Sequence, residues 1–127
     1  MTQRSNDSVG ILKYGAKICD TKINEIPGAF REIRASACLF AGNGALNLKD
    51  FKKSAKYYKK ACDDKSIPKY SACFLGGLFY VTEELNNKKE GARMLKLASK
   101  NGDSEIKENT HSVFDRLNAG LPIYLPK

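Results

Sequence analysis

The sequence predicts an all-α fold, a short right-handed α-solenoid of about three antiparallel helix pairs. Two observations predict the helices: apolar residues recur three or four positions apart along most of the chain, and no segment alternates apolar and polar residues as a strand would. A third predicts the stacking, because Ser36–Cys38 recurs as Ser71–Cys73 at an offset of 35 residues and Tyr14–Cys19 is echoed by Tyr57–Cys62 at an offset of 43. One such pair cannot bury its own apolar face, so the pairs are expected to stack.

The first two helices are predicted over Val9–Cys19 and Ala29–Ala41. Apolar residues in the first helix follow helical spacing at Ile11, Leu12, Gly15, Ala16 and Cys19. The side of the second helix that is expected to face the core carries Phe30, Ile33, Ala37 and Phe40. Asn43 and Gly44 are expected to end this helix, because both residue types are typical of helix C-termini.

The third helix is predicted over Asp50–Asp63, with Asp50 as its N-cap. Its apolar stripe consists of Phe51, Ala55, Tyr58 and Cys62, and its opposite, basic face includes Lys52, Lys53, Lys56 and Lys60. We expect this lysine face to bind an acidic protein surface or anionic lipid, and the alternative is an ordinary solvated helix face. Nucleic acid is not an expected partner, because the sequence has no RNA-binding motif and Asp50 and Asp63 dilute the charge of this lysine-rich helix.

Three further helices complete the prediction. The fourth covers Lys69–Glu84, the fifth is capped by Asn87 and ends near Gly102, and the sixth runs from a capping Asp103 to Asn118. The chain then divides into a polar N-terminal tail (1–8), a helical repeat domain (9–118) and an apolar, proline-containing C-terminal tail (119–127).

The C-terminal tail is a second candidate for partner binding. It places apolar side chains between two prolines, which prevent a helix from continuing. The residues in question are Leu121, Ile123, Tyr124 and Leu125. Two arrangements remain open, since the tail either folds back over the last helix pair or inserts into a neighbouring molecule.

Composition and charge exclude several classes of protein. Lys and Arg number 22 against 14 Asp and Glu, giving a net charge of +8, and no apolar run approaches the ~18 residues of a membrane-spanning helix. With a single histidine, His111, a metal or hydrolytic centre built on several histidines is excluded. No cofactor or metal is expected. The polar start and the lack of a long apolar segment behind it also predict no secretory signal.

Four cysteines are present, Cys19, Cys38, Cys62 and Cys73. No CxxC motif occurs, so a zinc ribbon is not expected. Four cysteines allow three disulfide pairings, and from spacing alone four buried free thiols are an equally acceptable interpretation.

The stretch Ser54–Asp63, SAKYYKKACD, followed by Ser71–Tyr80, SACFLGGLFY, resembles the Sel1-like repeats, and within them the cysteine-rich branch that includes the Helicobacter cysteine-rich proteins. Gly77 and Tyr80 match the glycine and aromatic positions of that pattern, whereas Ala45 replaces the aromatic residue in the earlier unit. The resemblance implies Sel1/TPR-like helix pairs and disulfides Cys62–Cys73 and Cys19–Cys38. The gaps of ten and eighteen residues between these cysteines depart from the usual seven.

The resemblance further implies a non-enzymatic scaffold for protein–protein interaction. A similar cysteine-rich Sel1-like protein assists assembly of the respiratory chain, so we expect an accessory or assembly protein of a respiratory complex in the mitochondrial intermembrane space. The alternative is a bacterial periplasmic or secreted relative. A less favoured enzyme hypothesis rests on the Ser-x-x-Lys spacing of penicillin-interacting enzymes, which occurs at Ser66–Lys69 and Ser104–Lys107 without the companion motifs.

Overall fold

A computed structural model describes residues 2–22, 31–64 and 69–126 of the chain. Within these ranges the fold is entirely helical, with six α-helices and no strand, as predicted. The helices are α1 (Thr2–Cys19), α2 (Arg31–Asn47), α3 (Phe51–Cys62), α4 (Tyr70–Tyr80), α5 (Lys88–Asn101) and α6 (Ser104–Asn118). None of these described helices is both long enough and apolar enough to cross a membrane.

Helices that follow one another in sequence pack side by side. The α1–α2 pair is antiparallel, because Cys19 at the end of α1 is bonded to Cys38, whereas Gly44 near the end of α2 meets the backbone of Ser8 near the start of α1. The α3–α4 pair is joined in the same way by the disulfide from Cys62. Each disulfide therefore fixes one helix pair.

The core is built largely from small side chains, with a few large ones between the pairs. Tyr58 is fully buried and stacks near Phe79, whose ring also lies edge-on to Phe51 at 5.4 Å. The hydroxyl of Tyr58 donates to the side chain of Asn43, and the Ser54 hydroxyl donates to the Gly42 carbonyl at 2.8 Å. These bonds satisfy polar groups that would otherwise be costly to bury.

Three predicted N-caps are confirmed. The side chains of Asp50, Asn87 and Asp103 accept hydrogen bonds from backbone N–H groups three residues later, at 3.2, 3.4 and 2.9 Å respectively. In the apolar stripe of α3, Ala55, Tyr58 and Cys62 are buried as predicted and Phe51 is partly buried. The buried face also includes Ser54, Tyr57 and Ala61. Local sequence determines these features, because an N-cap acts within a single turn of its helix.

The first helix starts earlier than the sequence suggested. It begins at Thr2 rather than Val9, so most of the expected polar tail is helical. Ser8 is 2% exposed, and its carbonyl would lie 2.9 Å from a Cβ added to Gly44. The start of α1 therefore packs against the end of α2 through backbone atoms, a contact that the polar sequence of residues 2–8 did not predict.

The second helix ends later than expected and buries a different face. Asn43 and Gly44 do not end α2, which continues to Asn47. Gly44 is instead a packing position within the helix, because its lack of a Cβ allows the backbone of α1 to approach closely. Ile33 and Phe40, expected in the core, are 51% and 55% exposed, while Ala37 is buried as expected. The buried face instead consists of Ala35, Ala37, Cys38, Ala41 and Ala45. Phe30 lies outside the described residues.

The fourth helix ends at Tyr80 rather than Glu84. Beyond it the Thr82 hydroxyl donates to the Phe79 carbonyl at 2.6 Å, and Asn86 adopts a positive φ of 49°. The Glu83 N–H donates to the carbonyl of Ile123 at 2.8 Å, so the C-terminal tail takes a bond that a longer helix would have used internally. The last two helices end close to the predicted positions, α5 at Asn101 and α6 at Asn118.

Replacing Lys49 with glycine is expected to stabilise the protein. Lys49 follows α2 with a φ of 61°, a left-handed conformation that is unfavourable for a residue with a Cβ. Glycine adopts this conformation freely at a helix C-terminus, so we expect the free energy of unfolding to rise by about 0.5–1 kcal/mol. Urea denaturation measures the change. Lys52→Gly, within α3, is the matched control and should destabilise, and a loss of stability in Lys49→Gly would contradict the argument.

Candidate protein-interaction groove

Most of the exposed large apolar side chains of the described residues lie on the outer side of the α1–α2 pair. A shallow open groove of about 1290 Å³ runs between these two helices. Its lining residues are Asp7, Gly10, Ile11, Tyr14, Gly15, Ile18, Glu32, Ile33, Ser36, Ala37 and Phe40. One wall is formed by large apolar side chains of α1, Ile11, Tyr14 and Ile18, and the other by Ile33 and Phe40 of α2. We call this feature the α1–α2 groove.

Small residues between the two helices create the groove. A Cβ added to Gly15 would lie 3.0 Å from the Ala37 carbonyl oxygen and 3.2 Å from the Ala41 nitrogen, so the two backbones are in close contact. The disulfide Cys19–Cys38 holds their Cα atoms 4.8 Å apart. Because small side chains occupy this contact, the larger side chains of both helices project to the outside.

The exposed area of this groove is large for so small a protein. The five large apolar side chains of the lining are between 42% and 64% exposed: Ile11, Tyr14, Ile18, Ile33 and Phe40. Together they leave roughly 400–600 Å² of apolar surface in water, about the size of the largest patch on a typical monomer. The largest apolar patch of a monomer is often a functional site.

The charged residues of the lining are both acidic. Asp7 lies towards the start of α1 and Glu32 near the start of α2, so the antiparallel arrangement places them at opposite ends of the groove. Lys13 lies outside the lining, with its ammonium 5.6 Å from the centroid of the Tyr14 ring. The groove is therefore largely apolar along its length and carries one carboxylate towards each end, on a chain with a net charge of +8.

The predicted lysine face of α3 is divided in the structure. Lys52, Lys53 and Lys56 are exposed, whereas Lys60 is partly buried and forms an ion pair with Asp20. The ammonium groups of Lys56 and Lys60 also lie 5.2 and 5.5 Å from the centroid of the Tyr57 ring. Lys60 is therefore engaged by an ion pair and Lys56 by a ring contact, and binding of a partner by these lysines stays a prediction.

The C-terminal tail folds back against the helices, the first of the two arrangements considered. Ile123 packs beside Val81 and Leu95, and Leu125 packs against the cluster around Tyr58. The backbone N–H of Leu125 also donates to the side chain of Glu84 at 3.1 Å. The other two candidate binding residues of the tail are exposed, Leu121 at 48% and Tyr124 at 65%.

The described residues of the enzyme hypothesis lie outside the α1–α2 groove. Ser104 and Lys107 are exposed on α6, as is the single histidine, His111, and none of the three belongs to the lining of this groove. Ser66 lies outside the described residues, and Lys69 immediately precedes α4. In the parts of the chain that the structure describes, no group of three or more His, Cys, Asp or Glu residues is arranged to hold a metal ion.

Both disulfides that the resemblance implied are present. Cys19 is bonded to Cys38 and Cys62 to Cys73, and their Cα atoms are 4.8 and 4.7 Å apart. All four residues are buried, so no cysteine of the chain is a free thiol. The interpretation as four buried free thiols is therefore wrong.

A cluster beside the first disulfide links α1 to α3. The Tyr57 hydroxyl donates to Asp20 Oδ2 at 2.9 Å, and Lys60 binds the other carboxylate oxygen. Burial, together with the hydrogen bond to Asp20, raises the pKa of Tyr57 to about 12. Burial alone would raise the pKa of Asp20, but the hydrogen bonds from Lys60 and Tyr57 outweigh it and hold that pKa below its ordinary value.

This cluster predicts a contribution to acid stability. Because the pKa of Asp20 is lower in the folded state, its stabilisation is present above the unfolded pKa of 3.8 and is lost as the pH falls through the folded pKa. The side chain of Asp20 is 43% exposed, so the contribution is under about 1 kcal/mol. We expect Asp20→Asn to lower stability at pH 7 and to leave it unchanged at pH 2, as measured by urea denaturation. Lys60→Met should have the same pH dependence, and equal losses at both pH values would contradict this origin.

The α1–α2 groove is the candidate site that the sequence analysis missed. Ile33 and Phe40 were assigned to the core because they follow helical spacing, yet α2 carries two apolar stripes. The stripe of alanine, glycine and cysteine was the available signal, since close helix packing needs small residues. A helix with small residues on one side and large apolar residues on the other is expected to bury the small ones against a close neighbour and expose the large ones.

Comparisons with known proteins add nothing to these observations, as no protein-family model, curated protein or solved structure matches the chain. The groove, the disulfides and the charge distribution are thus the observations from which a function can be argued.

Proposed function

We propose that this protein is a non-enzymatic helical-repeat scaffold that binds other proteins through the α1–α2 groove. The observation that carries the proposal is the exposure of five large apolar side chains along one disulfide-linked helix pair. Exposed apolar area is unfavourable in water, and covering it stabilises a complex by about 25 cal/mol per Å² before the costs of association. A rigid pair also loses little conformational freedom on binding, which favours association.

The proposed architecture is an α-solenoid of three Sel1-like helix pairs. An aspartate follows the first cysteine of each disulfide and forms an ion pair with the next helix pair. Asp20 follows Cys19 and binds Lys60 of the α3–α4 pair. Likewise, Asp63 follows Cys62 and binds Arg93 of the α5–α6 pair. The guanidinium of Arg93 donates to both carboxylate oxygens of Asp63 at 3.0 and 2.9 Å. A contact that recurs between successive pairs is typical of repeat architectures.

We further propose that the protein works in an oxidising compartment, and specifically in the mitochondrial intermembrane space as an accessory or assembly protein of a respiratory complex. Two buried disulfides support an oxidising environment, since glutathione keeps most cytosolic thiols reduced. The choice of compartment rests on the resemblance to cysteine-rich Sel1-like proteins. A bacterial periplasmic or secreted protein is the second candidate, which the same disulfides support equally.

Site-specific photocrosslinking in the cell of origin tests whether the groove binds a protein. A photoreactive phenylalanine analogue replaces Phe40 in the groove. The same analogue in place of His111 on α6 is the control, and both positions are exposed. We expect a discrete crosslinked partner from position 40 and a much weaker product from position 111, because proximity determines the yield. Equal patterns from both positions would refute a binding role for the groove.

The identity of the crosslinked partner tests the finer proposal. A subunit or assembly intermediate of a respiratory complex supports the mitochondrial role, and a periplasmic or secreted partner supports the bacterial alternative. The enzyme hypothesis has its own test, β-lactam hydrolysis by the purified protein. Hydrolysis that is lost in Ser104→Ala or Ser66→Ala would overturn the scaffold proposal.

A further inference from the structure

We infer that the α1–α2 groove binds an amphipathic helix of a partner protein, and that this helix carries a lysine or arginine at each end of its apolar stripe. The inference rests on the proposed function and names the class of partner. Two properties of the groove carry it, its length and the position of its charges.

The length of the groove matches a short helix. Its lining on α1 runs from Asp7 to Ile18, which at 1.5 Å per residue is about 17 Å, or three helical turns. Recognition by strand addition requires an exposed sheet edge, and the described residues form no sheet. The groove is open and larger than the ~300–1,000 Å³ of pockets that enclose small molecules. A helix laid between two helices fits a groove of this length and openness better than either alternative.

The charges of the groove select a basic partner. Asp7 and Glu32 mark its two ends, and within the described part of the chain neither carboxylate forms an ion pair. A partner with a cation at each end would bring two opposite charges close to these carboxylates, whereas an acidic partner would be repelled at both. The remaining lining residues are uncharged and favour an apolar stripe between the two cations.

A second copy of this chain is a poorer occupant for the same reason. When two copies face each other groove to groove, each end of one groove meets an end of the other. Because both ends are acidic, every two-fold arrangement that aligns the two grooves lengthwise brings Asp7 or Glu32 of one copy towards a carboxylate of the other. Two chains of net charge +8 also repel each other at a distance.

The geometry also sets the spacing that the partner needs. Residues eleven apart on a helix lie about 17 Å apart and within about 20° of the same face. The partner is therefore expected to have cations at positions i and i+11. Large apolar side chains at i+4 and i+7 would then meet the walls formed by Tyr14, Ile33 and Phe40.

Three designed peptides test the inference. Each is a lactam-stapled helix of 18 residues with leucines at i+4 and i+7, and the residues at i and i+11 are lysine, glutamine or glutamate. Fluorescence anisotropy with the full, disulfide-bonded chain measures the dissociation constants. We expect the lysine peptide to bind about tenfold more tightly than the glutamate peptide, because each end replaces a repulsion with an attraction. The glutamine peptide should lie between them, and 0.5 M salt should narrow the differences.

Charge reversal in the protein is the matched control. The double variant Asp7→Lys/Glu32→Lys should reverse the order of the three peptides, and its circular dichroism should match that of the original chain. The same reversal at Asp115 and Glu108, exposed acidic residues of α6, should leave the order unchanged.

Each other outcome overturns the inference and bears separately on the proposed function. Equal binding of the three peptides would reject the charge selection and keep the groove as a binding surface. If no peptide binds while position 40 still crosslinks to a partner, the ligand is not a helix of this class. A dimer that forms with increasing concentration and is abolished by Phe40→Lys would identify a second copy as the occupant. Loss of the crosslink itself would refute the proposed function.

Discussion

Removal of both disulfides is expected to destabilise the folded state by about 6 kcal/mol, about 3 kcal/mol for each, in the chain-entropy model for separations of 19 and 11 residues. Domains of this size are stable by only about 5–15 kcal/mol, so this loss removes much or all of the margin. We expect the variant with all four cysteines replaced by alanine to lose most of its helical circular dichroism at 37 °C.

The two single-disulfide variants separate the roles of the bonds. Because the entropic term depends on the logarithm of loop length, Cys19→Ala/Cys38→Ala and Cys62→Ala/Cys73→Ala should lose similar stability in urea denaturation. Only the first pair lies beside the α1–α2 groove, so only its loss should weaken binding of the lysine peptide at a temperature where both variants are folded. An unchanged urea midpoint after reduction of the native protein would contradict a stabilising role for either bond.

Gly91→Ala is expected to destabilise the protein by about 1–3 kcal/mol, a large effect for one methyl group. A Cβ at this position would lie 2.8 Å from the Gly77 carbonyl oxygen and 3.0 Å from the Val81 nitrogen, and it would also overlap the Val81 side chain. Backbone atoms cannot rotate away as a side chain can. Helices α4 and α5 would therefore have to separate, which would disturb the packing of Leu95 between them.

Gly10→Ala is the matched control for this substitution. Gly10 also lies within a helix, but a Cβ added there meets nothing within 4 Å. We expect it to stabilise the protein by about 0.5–1 kcal/mol, since alanine is the better helix former. Thermal and urea denaturation of both variants measure the contrast. Stabilisation by both substitutions would mean that helix propensity rather than close packing controls stability at Gly91.

The N-terminal pair shows where prediction from sequence failed. In α3 the apolar stripe was unambiguous because lysines occupy the opposite face. In α2 apolar residues occur on two sides, and hydrophobic periodicity favoured the side with Ile33 and Phe40. The choice between the sides depends on how closely α1 approaches, and that distance depends on glycines of both helices, Gly15 and Gly44, which contact residues distant in sequence.

The candidate binding surface was likewise only partly foreseeable. The exposed lysines of α3 and two tail residues, Leu121 and Tyr124, lie at the surface, and their role in partner binding stays a prediction. Lys60 is instead engaged by Asp20, an acidic residue forty positions away. Ile123 and Leu125 cover the helices rather than extending outwards. Such pairings depend on three-dimensional proximity, about which composition and spacing carry no information.

The amino-acid sequence was sufficient to predict the helical class and the positions of three N-caps, because these features depend on periodicity and on local hydrogen bonding. The two disulfide pairings were expected from a resemblance to a recurring motif, and both are present. Three features became evident from the packing of the helices: the buried faces of α1 and α2, the start of α1, and the open apolar groove with a carboxylate towards each end. Small residues allow the two helices to approach closely, and this close approach directs the larger side chains towards solvent.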